Sequence, residues 1–339
     1  MEKFSQFRDR GSGIAPFIPH TSPSSTPAKL LHVCLFAFRL PVLLFSLALY
    51  FLVVQHVTPI LPQAINKLLV WGLLAIPQIW WSDLQLDGVK RGSLSQQPPG
   101  RMPCAPPASV IAASFTSPVD AVYLAAVFDP IFTISYPRSR RVVRVGLWGA
   151  MWHALAPAQL RRAPPPSAVA SLTTLGDIIA RNPRRVVAVF PECATTNGQG
   201  ILPFSPSLLT VPADVKIFPV SIRYTSPDIT TPVPGAWLTF LWKLLSRPTH
   251  VMRIRIAEAV YNTAGAVDGV GEASGLASRD GGRSRTLGSV SSVDEPVISF
   301  EERRVLDRVA ENLARLGRNK RVGLDVDDKA KFVEAWKKR

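Results

Sequence analysis

The chain has 339 residues, 47% of them hydrophobic, and 39 Lys/Arg against 24 Asp/Glu give a formal charge of +15, with a mean hydropathy of +0.17. The length suits one large domain or two modest ones, and apolar content combined with strong positive charge points to a membrane protein whose polar surface meets anionic phosphates. Nucleic acid is excluded as the partner because the charge lies in scattered clusters, with no zinc-ligand spacing, no RNP-type aromatic strand and no basic heptad helix. The three cysteines, Cys34, Cys104 and Cys193, are odd in number and contain no C-x-x-C pair. They make neither a disulfide framework nor a metal site, and they place the functional face in a reducing compartment.

In chain order, residues 1–29 are polar and rich in Ser, Thr and Pro, which predicts a disordered cytosolic arm rather than a signal peptide. Residues 30–82 predict a membrane-embedded helical hairpin. Leu30 to Val54 is apolar apart from Arg39, and as a helix it would span about 37 Å, more than the roughly 30 Å hydrocarbon core. Leu68 to Trp81 is a shorter apolar stretch interrupted by Pro77 and carrying Trp71, Trp80 and Trp81; a re-entrant or interfacial helix fits it as well as a second crossing. Lys and Arg flank both ends of the pair, as expected if both ends are cytosolic.

Residues 100–262 predict an α/β domain, a mixed sheet flanked by helices. Its strand candidates are Ser109–Ser114, Arg141–Trp148, Val186–Phe190, Lys216–Tyr224 and His250–Val260, with helices expected at about Ser117–Phe128 and Ala168–Arg181. The aromatic stretch Trp237–Leu245 reads equally as a core helix or a membrane-dipping surface. Residues 263–297, rich in Gly, Ser and Asp, predict a disordered insertion. Residues 298–339 predict an amphipathic helix opened by the capping box Ser299-x-x-Glu302, then a basic tail.

One stretch organises the domain. Val186-Val187-Ala188-Val189-Phe190-Pro191 ends in Glu192-Cys193-Ala194-Thr195-Thr196-Asn197-Gly198, a buried strand delivering a polar loop that can hold an anion. Together with Ser114-Phe115-Thr116-Ser117-Pro118-Val119-Asp120 and Val215-Lys216-Ile217-Phe218-Pro219-Val220, it resembles the three ordered blocks of the glycerophosphate acyltransferase superfamily, which in that family read NHTSPLD, FPEGTTTNG and an apolar strand with an embedded proline. The nearest likeness is to a fungal subgroup of lysophosphatidic acid acyltransferases of the endoplasmic reticulum and lipid droplets.

The resemblance implies a membrane-bound enzyme with a cytosolic catalytic domain, bathed in anionic membrane lipids. It would move an acyl group from acyl-CoA, a co-substrate, to a lysophospholipid, with no cofactor and no metal. In the family a histidine, oriented by an aspartate five residues later, takes the hydroxyl proton. Here Asp120 matches the aspartate, while the histidine position is Phe115, which cannot accept a proton. His153 is the histidine nearest in sequence to the catalytic half, and the candidate substitute base; an ordinary packed histidine is its bland alternative. Asp120 also reads as half of a helix capping box with Ser117. The resemblance assigns the acceptor phosphate to Glu192, Thr195, Thr196 and Asn197, with Arg144, Arg161 or Arg162 near to supply positive charge. Cys193 and Ala194 replace the family's glycine and threonine. These departures leave a rival function open, a catalytically silent lipid-binding or membrane-sorting protein on the same fold.

Overall fold

The computed structural model describes residues 2–20, 26–54, 63–89, 102–103, 107–264 and 298–338. Its strands are β1 (Trp81–Leu86), β2 (Ser109–Ala113), β3 (Ile131–Ser135), β4 (Val142–Val145), β5 (Leu172–Thr173), β6 (Val187–Val189), β7 (Gly200–Ile201), β8 (Lys216–Tyr224), β9 (Val251–Ile256) and β10 (Lys320–Arg321). Its longer helices are α1 (Thr26–Leu49), α2 (Gln63–Ala75), α3 (Pro118–Phe128), α4 (Leu147–Leu155), α5 (Leu175–Arg181), α6 (Trp237–Ser246), α7 (Phe300–Gly317) and α8 (Val326–Lys337). The expected mixed sheet flanked by helices is present: eight strands in the order β1-β9-β8-β2-β6-β3-β4-β5. At its centre β8, β2, β6 and β3 run parallel, and β9 and β4 are antiparallel to their inner neighbours.

The central strands are apolar on both sides because each face is covered. One face carries Ile111, Phe218, Val220, Ile222, Met252 and Ile254 against α2 and α3. The other carries Val110, Val187, Val189 and Ile217 against α5 and α7. Within β8 the alternation places Phe218, Val220 and Ile222 on the first face. Ser221 and Arg223 are thereby turned toward the second.

The apolar stretch over residues 30–82 differs from a hairpin of two crossings. Ala28–Leu52, 25 residues with mean hydropathy 2.1 and 11% of its apolar window buried, is the one helix among the described residues long and apolar enough to cross a membrane. α2 has 13 residues, and Trp81 starts β1 rather than closing a membrane segment, pairing in parallel with Val251. α1 lies along the domain instead of standing away from it. Phe36 of α1 meets Trp242 of α6 at 4.9 Å, and Phe51, in the turn that follows α1, meets Trp148 of α4 at 5.0 Å. The guanidinium of buried Arg39 donates to the carbonyls of Leu245, Arg247 and Pro248, at the end of α6. That arginine neutralises carbonyls the helix leaves open. α6 is in part the core helix of the two readings, with Phe240, Leu244 and Leu245 buried, and it leaves Trp237 and Leu238 exposed.

Three further expectations change. The polar composition of 1–29 predicts disorder, yet residues 2–20 pack on the domain, because Phe7 and Phe17 close on Phe332 of α8 at 5.3 and 5.9 Å. The basic tail is no tail: Asp325 caps α8 in a box with Asp328, and Phe332 is fully buried. The helix expected over Ala168–Arg181 is broken by β5, and it restarts at α5 because Thr174 and Asp177 form their own capping box. The Gly/Ser-rich insertion falls, over 265–297, outside the described residues.

Candidate active site

The carboxyl ends of β2 and β6 deliver the two loops that the sequence singled out, and each loop is held by a buried carboxylate. Asp120 is at the third position of α3, completing the capping box with Ser117. One of its oxygens accepts from the N–H of Thr116 and Ser117 and from the Thr116 hydroxyl, at 2.8, 2.9 and 3.0 Å. Its other oxygen accepts from the Tyr224 hydroxyl. Burial pushes its pKa up to about 6 despite these donors. All four partners are accounted for, and Asp120 makes no hydrogen bond or ion pair with His153. The expected aspartate–histidine dyad is therefore not assembled, and Asp120 shapes the loop.

Glu192, expected on the acceptor phosphate, is a brace. One oxygen accepts from the Phe115 N–H at 3.1 Å and the other from the Leu202 N–H at 3.2 Å, tying the β2 loop to the entry of the segment after β7. Burial lifts its pKa to about 8. Glu192→Gln keeps one acceptor oxygen and leaves one buried N–H without a partner, at an expected cost of about 1–3 kcal/mol, and Glu192→Ala, which leaves both, is expected to cost more. Denaturant unfolding of detergent-solubilised protein checks this; unchanged stability would refute the brace.

Asn197 is likewise engaged: its amide donates to the carbonyls of Ala15 and Ile18 at 2.8 and 3.0 Å and so pins the N-terminal segment over the loop. Thr196 binds within the loop, its hydroxyl accepting from Gly198 and its N–H donating to the Phe115 carbonyl. Cys193 takes φ +56°, the left-handed conformation that glycine adopts without penalty. The missing glycine therefore leaves the loop's path intact at a cost in strain. Its thiol is buried and pushed up to about 12 by that burial, which removes it as a thiolate nucleophile.

The fourth predicted phosphate residue, Thr195, leads to groups that the sequence does not display. Its hydroxyl donates to the Thr231 carbonyl at 2.6 Å and accepts from the ammonium of Lys329, 2.8 Å away, and from Arg161 at 3.4 Å. The Lys329 ammonium also donates to the Thr195 carbonyl at 2.5 Å. Arg161 donates to the carbonyls of His153 and Ala154 at the end of α4 and lies over the Phe115 ring, 5.5 Å from its centre. Its Nε has no partner. Both cations are fully buried at 0% exposure, and neither has a carboxylate within ion-pair distance among the described residues.

Between these cations and the apolar surface sits His153. Its ring lies parallel to Phe115, centroids 5.9 Å apart and planes at 12°, and Phe190 stacks on Phe115 at 4.6 Å. The imidazole stands one ring away from the position where the resemblance places the family's histidine. Burial, then the charges of Arg161 and Lys329, hold its pKa well below the ordinary value, so it is neutral and able to accept a proton. Burial also lowers Arg161 to about 9 and Lys329 well below its usual value, the latter helped by Arg161. A buried cluster of two cations beside one neutral, partly buried imidazole is suited to a dianion attached to a hydroxyl that must lose its proton.

Of the three arginines proposed from sequence, only Arg161 belongs here. Arg144 is exposed, and Arg162 pairs with Asp327 of α8 at 2.6 Å. Among the described residues no group of three His, Cys, Asp or Glu could hold a metal ion.

Residues 103–223 match the family model described as Acyltransferase. The chain is 25% identical over 347 residues, 100% of its own length and 99% of the other's, to a Schizosaccharomyces pombe protein named "Putative lysophosphatidic acid:oleoyl-CoA acyltransferase". It is 26% identical over 274 residues, 74% of its length and 82% of the other's, to "Lysophosphatidic acid:oleoyl-CoA acyltransferase 1" of Saccharomyces cerevisiae. No solved structure matches it. The strands and loops between residues 103 and 223 therefore form an Acyltransferase-family domain.

Proposed function

We propose that this protein transfers an acyl group from an acyl-CoA thioester to the free hydroxyl of lysophosphatidic acid, giving phosphatidic acid, with its catalytic domain on the cytosolic face of the endoplasmic reticulum or lipid-droplet surface. The observation that carries the reading is the buried pair Arg161 and Lys329, beside a neutral imidazole and with no ion-pair partner among the described residues. Glu192, the carboxyl that acts on Lys329, is itself pushed up to about 8. Burying two cations with so little compensation is costly, and the phosphomonoester of lysophosphatidic acid, at about −1.5 to −2 charge, offsets it.

With the phosphate so held, the acceptor hydroxyl lies toward His153. The imidazole takes the hydroxyl proton as the oxygen attacks the thioester carbonyl. The C–S bond then breaks, the new ester forms, and the proton passes to the departing CoA thiolate. α4 brings lipid to this point: it turns Trp148 and Trp152, 51% and 60% exposed, outward and His153 inward against Phe115. With Phe38, Phe45 and Leu52 of the α1 segment and Trp237 and Leu238 of α6, all exposed, they form a surface suited to insertion among acyl chains.

The test is transfer from labelled acyl-CoA to a panel of lysophospholipids by the full chain in detergent micelles. Lysophosphatidic acid is expected to be acylated in preference to lysophosphatidylcholine, whose phosphodiester carries one negative charge and a bulky cation. Absence of any acylated product, with lysolipid binding retained, would replace the reading with the lipid-binding one that Phe115 raises.

A further inference from the structure

A second concentration of positive charge lies outside the site described above, at the carboxyl edge of the same sheet. Arg223, Arg253, Arg255 and Arg318, with Ser221 and Thr225, line a cavity of about 250 Å³. No Asp or Glu is among its walls, and none of the four arginines is in a salt bridge among the described residues. Two of them only donate to backbone carbonyls at the end of α7, Arg223 to Gly317 and Arg255 to Leu316.

Two features of the backbone make this arrangement unfavourable in the protein alone. Arg223 and Arg253 are direct partners in the antiparallel β8–β9 ladder, where like charges facing each other destabilise the pair. Asp83 of β1 is level with Arg253 on the other side of β9 and offsets part of that repulsion, but it is not among the walls of the cavity. Arg318 holds φ +51° as the cap of α7, a position where glycine or asparagine is the ordinary choice. Arg223, Arg253 and Arg318 are exposed, and four arginines converging on one cavity without a carboxylate in its walls are suited to a polyanion.

The surroundings identify which one. The cavity is on the sheet face covered by α7, since Ser221 and Arg223 alternate with the core residues Val220 and Ile222 that face α2 and α3. It is therefore across the sheet from the apolar surface of α1 and α6, so its ligand arrives from solution. It also shares Arg223, Tyr224 and Thr225 with a neighbouring cavity of about 180 Å³ lined by Thr116, Asn197 and Gly198. The two make one groove from the arginines to the loops that hold the candidate active site, outside the carboxyl ends of the parallel strands where ligands of open α/β sheets bind.

We propose that the Arg223–Arg253–Arg255–Arg318 pocket binds the 3′-phosphate and diphosphate of the acyl donor's coenzyme A, with the pantetheine arm running past Tyr224 and Thr225 toward the Thr116 loop. The proposal rests on the acyl-CoA reading of the active site and adds to it the residues that recognise the donor. Clustered phosphates match guanidinium forks, which bind them bidentately. The same arginines would give the pocket a preference for CoA over dephospho-CoA, which lacks the 3′-phosphate.

The experiment measures CoA and dephospho-CoA binding by calorimetry to the full chain in detergent micelles, for the wild type and for two variants. Arg253→Gln removes the like-charge partner of Arg223, and Arg318→Gly suits its left-handed backbone, so each is expected to melt at or above the wild-type temperature. Each is expected to weaken CoA at least tenfold and to narrow the preference over dephospho-CoA to less than threefold. Wild-type affinity for CoA in both variants would overturn the pocket while leaving the donor reading intact. Failure of the wild type to bind CoA, together with no acyl transfer, would instead remove the donor reading. Should the variants keep CoA but lose binding to vesicles rich in anionic phospholipid, the pocket would belong to the membrane surface and the proposal would fall.

Discussion

Lys329→Met is expected to raise the KM for lysophosphatidic acid by roughly 30- to 800-fold, about 2–4 kcal/mol of acceptor binding, while the protein melts at or above the wild-type temperature. The two signs come from one fact: an ammonium at 0% exposure has given up its hydration and has only the hydroxyl and carbonyl of Thr195 in return. Methionine fills a similar volume without a charge, so the empty protein gains. The substrate complex loses one of the two cations that meet the phosphate. If Lys329 served only to pin α8 to Thr195, the variant would instead lose stability and keep its KM.

The pH dependence follows from the same burial. In the empty site, burial and the Arg161 charge press the Lys329 pKa down, and a bound dianion raises it again. At a pH above the empty-site pKa of Lys329, acceptor binding therefore takes up a proton, and below it Lys329 is already the ammonium. Affinity in the wild type is expected to weaken as pH rises through the titration of the ammonium in the complex, and Lys329→Met is expected to flatten that slope. Acceptor KM measured across pH for both proteins checks it.

Lys329 also marks the limit of what the sequence displays. The first two of the three ordered blocks were legible because each joins an apolar strand to a polar turn, and the structure places those two at one sheet edge, with the third running along β8 beside β2. The roles within the blocks were less legible. Glu192, Asn197 and Asp120 have the composition of a phosphate cradle, but their polar atoms are spent on Phe115, Leu202, Ala15, Ile18, Thr116, Ser117 and Tyr224. Ser117 was visible as the capping-box partner of Asp120, whereas Phe115, Ala15, Ile18 and Tyr224 lie too far in the chain from the groups they bind for local spacing to show.

The C-terminal helix did carry a signal. Asp325-x-x-Asp328 is a capping box, and Val326, Ala330 and Val333 repeat at the spacing of one helical face. Lys329 stands in that apolar stripe, where a lysine is out of place unless it has work in the interior. Arg161 and Arg162 are adjacent and identical in type, and only tertiary contacts separate the buried one from the one paired with Asp327. The N-terminal segment misleads for a related reason: its few aromatic residues are too sparse to predict a core, and they bury themselves only against α8, more than three hundred residues away in the chain.

His153→Phe is the substitution with the largest expected effect on the chemical step. Phenylalanine preserves the parallel stack on Phe115, now 5.9 Å between ring centres, and removes the nitrogen that takes the proton. The kcat is expected to fall about 10²–10⁴-fold, the usual worth of a positioned base, with the KM for lysophosphatidic acid little changed because Arg161 and Lys329 remain. His153→Ala should lose the same factor and some stability in addition. Retained kcat in the phenylalanine variant would mean that orientation of the two substrates carries the reaction without a side-chain base.

The pH profile supplies an independent check. An imidazole acts as base only when unprotonated, and burial with two neighbouring cations holds this one's pKa well below the ordinary 6.5. The kcat of the wild type is therefore expected to stay level as pH falls from 8 through 6.5, declining only at lower pH. A profile half-lost at 6.5 would place the base in water, away from Phe115. A low pKa also makes His153 a weaker base than a free imidazole. The burial that causes it confers a compensating gain, since low polarity strengthens the charge interactions made with the developing transition state. In the family's motif an aspartate orients the base. Here Asp120 is fully engaged elsewhere, and orientation comes from the aromatic stack of Phe190, Phe115 and His153, with Arg161 fastening the end of α4 to Thr195.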